Sequence, residues 1–323
     1  MKKMFKRVPC FILALSMVVL CFSGCGEKKD DIYTVGICQL VQHEALDAAT
    51  KGFKQALKDK LGDKVEFDEQ NASGEPTNCT TICSKFVSDK VDLIMANATG
   101  ALSAAAQATA DIPIVATSIT DYATALDISD WTGKTGFNVT GTADLAPLNE
   151  QAKMIKELVP SAKTVGILYC SAEPNSKYQS TVIQASLKEL GLTCKEYTFV
   201  DTNDVTAVTQ QAASECDVIF APTDNTVASN GPAINNVLEP AKIPLIAGEE
   251  GICKKAGVAT LSISYYDIGY KAGEMAYQIL AEGADPAEME IEYAKNLTKK
   301  YMADRCQTIG ITIPDGYEAI SAE

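Results

Sequence analysis

The sequence has little of what most catalytic and metal sites are made from. Its 323 residues contain one histidine, His43, and one tryptophan, Trp131. Cys79 and Cys83 are four residues apart, but no second cysteine pair at ligand spacing accompanies them, which argues against a zinc site. The chain also lacks a Walker A sequence, a nucleophile elbow and a GxGxxG motif opening its first helix. We therefore expect no enzyme activity, no metal and no cofactor.

Positive charge is also scarce, since the net charge at neutral pH is −14. Phosphate binding needs clustered Lys and Arg side chains, so nucleic acid is not expected as a partner. Hydrophobic residues make up 46% of the chain and charged residues 22%, as in ordinary folded proteins. The length is sufficient for two domains.

The first 24 residues have the order of a secretory signal peptide: basic MKKMFKR, an apolar run over 8–22, and small residues before Cys25. The apolar run is shorter than the roughly 20 residues that a spanning helix needs, which makes a retained membrane anchor the weaker alternative. The end of this segment, FSGC, resembles a bacterial lipobox. That resemblance implies cleavage before Cys25, a lipid on its sulfur, and a position at the outer face of the cytoplasmic membrane. Residues 25–31 are interpreted as a polar tether.

Eleven cysteines in a secreted chain would normally suggest disulfides. Three of them belong to the signal region, and the others are scattered, mostly inside apolar segments. Buried free thiols are favoured, because free cysteine behaves as a small core residue. These eight are Cys38, Cys79, Cys83, Cys170, Cys194, Cys216, Cys253 and Cys306.

From residue 32 onward, short apolar runs alternate with amphipathic segments. We predict strands over 33–40, 64–70, 91–96, 112–117, 163–170, 193–199, 218–222, 243–248 and 257–264. We predict helices over 43–62, 76–89, 101–110, 148–160, 176–191, 203–216 and 265–280. This alternation is typical of an α/β fold with two doubly wound parallel-sheet lobes. Chain crossings near 133–142 and 260–264 place 32–140 plus 262–288 in lobe 1, and 141–261 plus 289–323 in lobe 2.

Four predicted strands end in clusters of hydroxyl, amide and carboxyl side chains, within 91–100, 113–121, 165–176 and 218–225. Ligands of parallel α/β sheets bind at the carboxyl ends of the strands, where helix N-termini also offer free N–H groups. Hydroxyls with N–H groups suit a carboxylate, and Asp or Glu suits an ammonium group. The pattern favours a free amino acid or a similar zwitterion. The alternative is that these are turn and N-cap residues, a role that the same residue types favour.

Several segments are similar to one family of solute-binding lipoproteins, the type I-fold binding proteins of ABC importers that include tryptophan and tyrosine uptake proteins. They are 35–53, 70–75, 112–121, 137–144, 163–176, 221–227, 247–251 and 264–273. The resemblance implies two lobes joined by three hinge crossovers, a monomer, and an aromatic amino acid clamped between the lobes. It also implies a membrane permease and its ATPase as partners.

The predicted ligand-binding residues are Gln39, His43, Asn97, Ala98, Thr99, Thr117, Ser118, Thr120, Asp121, Ser171, Glu173, Asn175, Ser176, Asp224, Asn225, Glu249 and Ser264. Asp224 is the expected partner of the ligand ammonium. Ser264 stands where the family commonly has Asp, which leaves that contact open. Candidate partners for an aromatic ring are Tyr122, Tyr169, Tyr265 and Tyr266, whereas Trp131 is expected at the surface.

Other functions are compatible with the same pattern. A sensory binding protein that feeds a membrane receptor would have the same cleft, and a sugar or nucleoside binder could share the fold. The absence of Trp at any strand end argues mildly against a sugar site. Glu249 and Glu250 could be imagined as glycosidase acids, but neighbouring residues of a strand point apart, whereas a catalytic carboxyl pair must face one bond.

Overall fold

In a computed structural model, residues 32–321 are described. The predicted signal peptide, the lipid on Cys25 and the tether over 25–31 all lie outside the described residues. The described residues pack as one unit that carries two β-sheets. Within residues 32–321, no helix combines the length and the apolar character needed to cross a membrane.

The strands are β1 (Tyr33–Gln39), β2 (Val65–Asn71), β3 (Leu93–Asn97), β4 (Ile114–Ile119), β5 (Val139–Ala143), β6 (Thr164–Cys170), β7 (Thr193–Phe199), β8 (Val218–Ala221), β9 (Leu245–Ala247), β10 (Ala259–Ser262), β11 (Glu292–Tyr293), β12 (Thr298–Tyr301) and β13 (Glu318–Ala319). The first sheet has the order β11-β5-β4-β3-β1-β2, and the second β13-β12-β10-β9-β8-β6-β7. Every neighbouring pair is parallel except β10 and β12. Central strands such as β3 and β4 are buried along their whole length, as expected for sheets covered on both faces.

The helices are α1 (Glu44–Leu61), α2 (Pro76–Asp89), α3 (Thr99–Ala108), α4 (Tyr122–Leu126), α5 (Leu148–Leu158), α6 (Pro174–Glu189), α7 (Val205–Glu215), α8 (Asn225–Ala241), α9 (Glu250–Ala256), α10 (Tyr265–Glu282) and α11 (Ala303–Ile309). Short 3-10 helices occupy Gly62–Lys64 and Pro286–Glu288. The two-lobed parallel architecture predicted from the sequence is confirmed.

Within residues 32–321, the chain crosses between the two sheets three times, at 144–147, 263–264 and 294–297. Both β5 and β11 lie in the first sheet. A boundary at residue 140 would cut β5, and one at residue 288 would place β11 in the second lobe. Division by sheet therefore moves both predicted boundaries a few residues along the chain. We call the half that contains the first sheet, α1–α4 and α10 lobe 1, and the remainder lobe 2.

Helix α10 packs directly against α1 because glycines remove the side chains at the crossing. A Cβ added at Gly269 would lie 2.0 Å from the carbonyl oxygen of Ala49, and one added at Gly52 would lie 2.1 Å from the carbonyl oxygen of Tyr266. Neither glycine can be replaced without moving backbone. Although α10 follows a strand of the second sheet, it therefore belongs to lobe 1.

Three helices have notable local features. Asp204 is the N-cap residue of α7, without a side-chain cap bond. Helix α8 contains Pro232 in its interior. Glu250 is the first residue of α9 rather than part of a strand. The prediction of free thiols is confirmed for residues 32–321: all eight cysteines are unpaired, and only Cys194 is not fully buried.

Candidate ligand-binding site

A small polar cavity lies between the carboxyl ends of the two sheets. Its volume of about 10 Å³ is roughly that of one water molecule, so the two lobes nearly touch across it. The cavity is lined by His43, Leu46, Thr99, Ser118, Thr120, Asp144, Asn175, Thr223, Asp224, Asn225, Ala228, Glu249 and Tyr265. Eight of these residues belong to the predicted ligand-binding set.

The lobe 1 wall presents hydrogen-bond donors. Helix α3 begins after Ala98, whose positive φ of 88° is rare for a residue with a side chain, and no side chain caps this helix. Ser118 also has a positive φ, 59°, at an irregularity in the β4–β5 pairing. Its hydroxyl is buried and has no hydrogen-bond partner. Free N–H groups at a helix start and an unpartnered hydroxyl together suit an anionic group.

The lobe 2 wall presents buried carboxyl groups, of which Asp224 is the most enclosed. Its Oδ1 accepts from the N–H of Val227 at 2.7 Å and so caps α8. Its Oδ2 accepts from the N–H of Cys170 and the hydroxyl of Ser176, both at 2.7 Å. Burial, reinforced by the charge of Glu173, raises the pKa of Asp224 to about 8. The carboxylate of Asp224, which the sequence suggested as the partner of a ligand ammonium, therefore already accepts hydrogen bonds from three protein donors.

Glu249 caps α9 in a similar way. Its carboxyl oxygens accept from the N–H groups of Gly251 and Ile252, both at 2.5 Å. Burial raises the pKa of Glu249 to about 7 despite these two bonds. Glu249 and Asp224 thus place two buried carboxyl groups, which ionise only near or above neutral pH, on the lobe 2 side of the cavity.

Asp144 is a cavity residue that the sequence prediction missed. It follows β5 directly, is 4% exposed, and accepts from the hydroxyls of Tyr265 at 2.9 Å and Thr120 at 3.3 Å. Burial raises its pKa to about 6, and these hydrogen bonds only partly oppose the shift. The signal was present, because Asp144 ends a strand like the other polar residues and closes the family-like segment 137–144, but no ligand contact was assigned to it.

His43 joins the two lobes. Its Nε2 lies 3.1 Å from the Oδ1 of Asn225, which begins α8. Burial is the main cause that lowers the pKa of His43, and the charge of Lys255 acts in the same direction. Nearby, Lys254 of lobe 2 pairs with Glu44 of lobe 1.

Nine predicted residues do not line the cavity, and most of them brace its walls. Gln39 bonds to the backbone of Val41 and to the side chains of Asp47 and Thr50. Asn97 donates to the carbonyl of Leu46 and the hydroxyl of Thr50. Both therefore fix the start of α1. Similar supporting positions are held by Ala98, Thr117, Glu173 and Ser176.

The other three predicted residues cap helices or bond within turns, which is the alternative role that the sequence analysis gave for polar strand ends. Asp121 caps α4 through the N–H of Thr124, and Ser264 caps α10. The Ser171 hydroxyl donates to the carbonyl of Phe199.

Among the candidate aromatic partners, only Tyr265 reaches the cavity. The hydroxyl of Tyr122 donates to backbone carbonyls of the first sheet, and that of Tyr169 donates to Glu196. Tyr266 lines a separate groove at the hinge. Trp131 is half-buried and stacks on Tyr122 with ring centroids 6.4 Å apart.

Two lobes, three crossovers and a polar cavity at the facing strand ends define a two-lobed solute-binding protein. A model of the ABC transporter substrate binding protein family matches residues 34–322. The chain belongs to this family, whose members bind solutes outside the cytoplasm.

Its relatives include the tyrosine-binding protein of Clostridioides difficile, which is 36% identical over 302 residues, covering 90% of this chain and 87% of the relative. Among solved structures, an ABC domain in complex with L-Trp from Streptococcus pneumoniae superimposes with a TM-score of 0.85. It is 32% identical, and the match covers 89% of this chain and 99% of that chain. The ligand-free, open structure of a substrate binding protein with adhesive properties from Clostridium difficile is 34% identical. The match covers 90% of this chain and 100% of that chain, and its TM-score is 0.69. At similar identity, the whole chain thus superimposes more closely on the L-Trp complex than on the open protein.

Proposed function

We propose that this protein captures an aromatic amino acid between its lobes and delivers it to a membrane permease driven by an ATPase. The observation that carries the proposal is that the cavity combines donors for an anion with buried carboxyl groups. Lobe 1 contributes uncapped helix N–H groups, hydroxyls and Asp144 at the end of β5, and lobe 2 contributes Asp224 and Glu249. This arrangement matches the two charges of an amino acid.

The ligand carboxylate would lie against the start of α3, with the hydroxyls of Ser118 and Thr99 as donors. Both side chains are at least nine-tenths buried, and that of Ser118 has no protein partner to give up. A charge-assisted hydrogen bond is about twice as strong as a neutral one, which favours an anion here over a neutral oxygen.

The ligand ammonium would lie against Asp144 rather than Asp224. Asp144 accepts from two hydroxyls, one of them at 3.3 Å, whereas Asp224 accepts from three donors at 2.7 Å. A carboxylate offers about four lone-pair positions, so Asp144 has more capacity left. The role of Asp224 would then be to hold the wall formed by β6, α6 and α8.

Closure about the three crossovers would supply the coupling to transport. A ligand that contacts both lobes stabilises the closed form by its differential affinity for the two states. The closed form would dock on the permease. We further propose that the mature chain is a monomer held at the outer face of the cytoplasmic membrane by lipid on Cys25. A receptor in place of the permease would use the same closure.

A thermal-shift and calorimetric screen over amino acids, sugars and nucleosides tests the proposal. A ligand present at 100 times its Kd stabilises the native state by about 2.7 kcal/mol, which is readily seen as a higher Tm. We expect tyrosine, tryptophan or phenylalanine to raise the Tm, and sugars and nucleosides to leave it unchanged. Stabilisation by a sugar or nucleoside alone would refute an amino-acid site.

A further inference from the structure

His43 and Asn225 face each other across the cavity, and a hydrogen bond between their side chains connects its two walls. The hydrogen-bond roles of both are fixed by their surroundings. The Nδ2 of Asn225 donates to the carboxylate of Glu173 at 2.7 Å, so its Oδ1 is the atom that faces His43. The Nε2 of His43 must therefore carry the proton of the bond between them.

The surroundings also keep His43 a neutral imidazole. Burial lowers its pKa, and Lys255 adds positive charge nearby. The pair thus offers one N–H donor from lobe 1 and one carbonyl acceptor from lobe 2. A hydroxyl placed between them could accept from the imidazole and donate to the amide, and would satisfy both groups.

The position of the pair along the sheet matches the length of a ring-bearing amino acid. Ser118 lies on β4, and His43 follows β1, which is two strands away in the order β4-β3-β1. Neighbouring strands are about 4.8 Å apart, so the strand that carries Ser118 and the strand that leads to His43 are offset laterally by about 10 Å. From standard bond lengths, the carboxylate carbon and the phenol oxygen of tyrosine are about 8 Å apart.

The cavity also has apolar side chains suited to the ring. Leu46 on α1 and Ala228 on α8 line it, and each is 2% exposed. Leu46 is less than one helical turn from His43, and Ala228 is less than one turn from Asn225. A ring between the lobes would contact this pair of apolar side chains beside the polar pair.

We propose that His43 and Asn225 select a para-hydroxylated ring, so that the protein prefers tyrosine to phenylalanine. This inference rests on the proposed function, because it presumes an amino acid anchored at Ser118 and Asp144. A bare phenyl ring would part His43 from Asn225 and leave both unpaired, whereas a phenol would bridge them. A site built to bond a substrate hydroxyl rejects the analogue that lacks it because its own buried groups lose their partners.

Calorimetric titration of the wild-type protein with L-tyrosine and L-phenylalanine is the first test. We expect tyrosine to bind about 100-fold more tightly. Equal affinities, or a preference for phenylalanine, would overturn this inference and leave the proposed function intact. Binding of neither amino acid, nor of tryptophan, would overturn both.

Variants then assign the preference to the pair. His43→Leu should weaken tyrosine binding by about 30-fold and change phenylalanine binding by less than about threefold, since an apolar replacement leaves no buried donor unpaired. His43→Gln keeps an N–H donor and should retain part of the preference, which also guards against a folding defect in the leucine variant. The matched control is Thr120→Val at the other end of the cavity, which should weaken both ligands in parallel. A parallel loss in His43→Leu would overturn the assignment.

Discussion

Replacing Asp144 by Asn should raise stability and lower affinity at the same time. The substitution keeps the shape of the side chain and its contacts with the hydroxyls of Tyr265 and Thr120, which can donate or accept. It removes a charge that the fold tolerates poorly, because burial raises the pKa from its ordinary 3.8 to about 6. One pKa unit corresponds to about 1.4 kcal/mol, so ionising Asp144 in the ligand-free protein costs about 3 kcal/mol.

The pH dependence has a definite sign. Below pH 4 the carboxyl group is protonated in both the folded and the unfolded states and contributes nothing. Between about pH 4 and pH 6 the unfolded chain ionises first, so this group lowers the free energy of unfolding as the pH rises, and the loss is complete above pH 6. Asp144→Asn should therefore be more stable than the wild type by up to about 3 kcal/mol at pH 7 and equal to it near pH 3.5.

Ligand binding should change in the opposite direction. Removing one member of a buried charge pair costs about 2–5 kcal/mol, which corresponds to at least about 30-fold in Kd. Urea unfolding without ligand, from pH 3.5 to 7.5, and calorimetric titration with an aromatic amino acid measure the two effects. Asp121→Asn is the matched control, because Asp121 only caps α4 and Asn caps equally well. Unchanged affinity in Asp144→Asn, or a loss of stability at pH 7, would refute this account.

Three further predictions concern the walls and the core. Asp224→Ala should weaken ligand binding at least about tenfold and lower stability by about 1–3 kcal/mol, because three buried donors lose their acceptor; calorimetry and urea unfolding would measure both, and wild-type values would contradict the bracing role. Gly269→Ala should cost more than about 2 kcal/mol, since its Cβ would overlap the carbonyl of Ala49; an unchanged urea midpoint would disprove the close contact. Alkylation of the native protein should modify Cys194 first among the described cysteines, with all eight reacting after unfolding; a smaller number in the absence of reductant would reveal a disulfide.

Much of the fold could be predicted because it depends on periodicity. Uninterrupted apolar runs such as those of β3 and β4 specify strands buried on both faces, and the helices between them show apolar stripes. Short edge elements carry no such signal. Strands β11 and β13 have two residues each and depend on pairing with distant segments, so neither was predicted, and the predicted limit of lobe 1 at residue 288 precedes β11.

The site was harder to predict because residue type does not reveal side-chain direction. Asn97 and Ser118 both end strands, yet Asn97 turns back to bond α1 while the Ser118 hydroxyl lies in the cavity. The difference depends on local backbone angles and on register, which one sequence does not specify. Asp121 and Asp224 likewise share the role of an N-cap, but of the two only Asp224 lines the cavity.

The glycine-mediated crossing of α1 and α10 has a consequence for the order of events in capture. Tyr265 is the first residue of α10, so it moves with the lobe that carries Asp144. The 2.9 Å hydrogen bond between them is therefore kept when the lobes separate. In the proposed binding mode, the groups that hold the ligand carboxylate and ammonium, Ser118 and Asp144, therefore stand on the same lobe before the ligand arrives. Asp224 and Glu249 lie on the other lobe and would contact the ligand only as the lobes close. The expected order of capture is binding to lobe 1 first and closure of lobe 2 second.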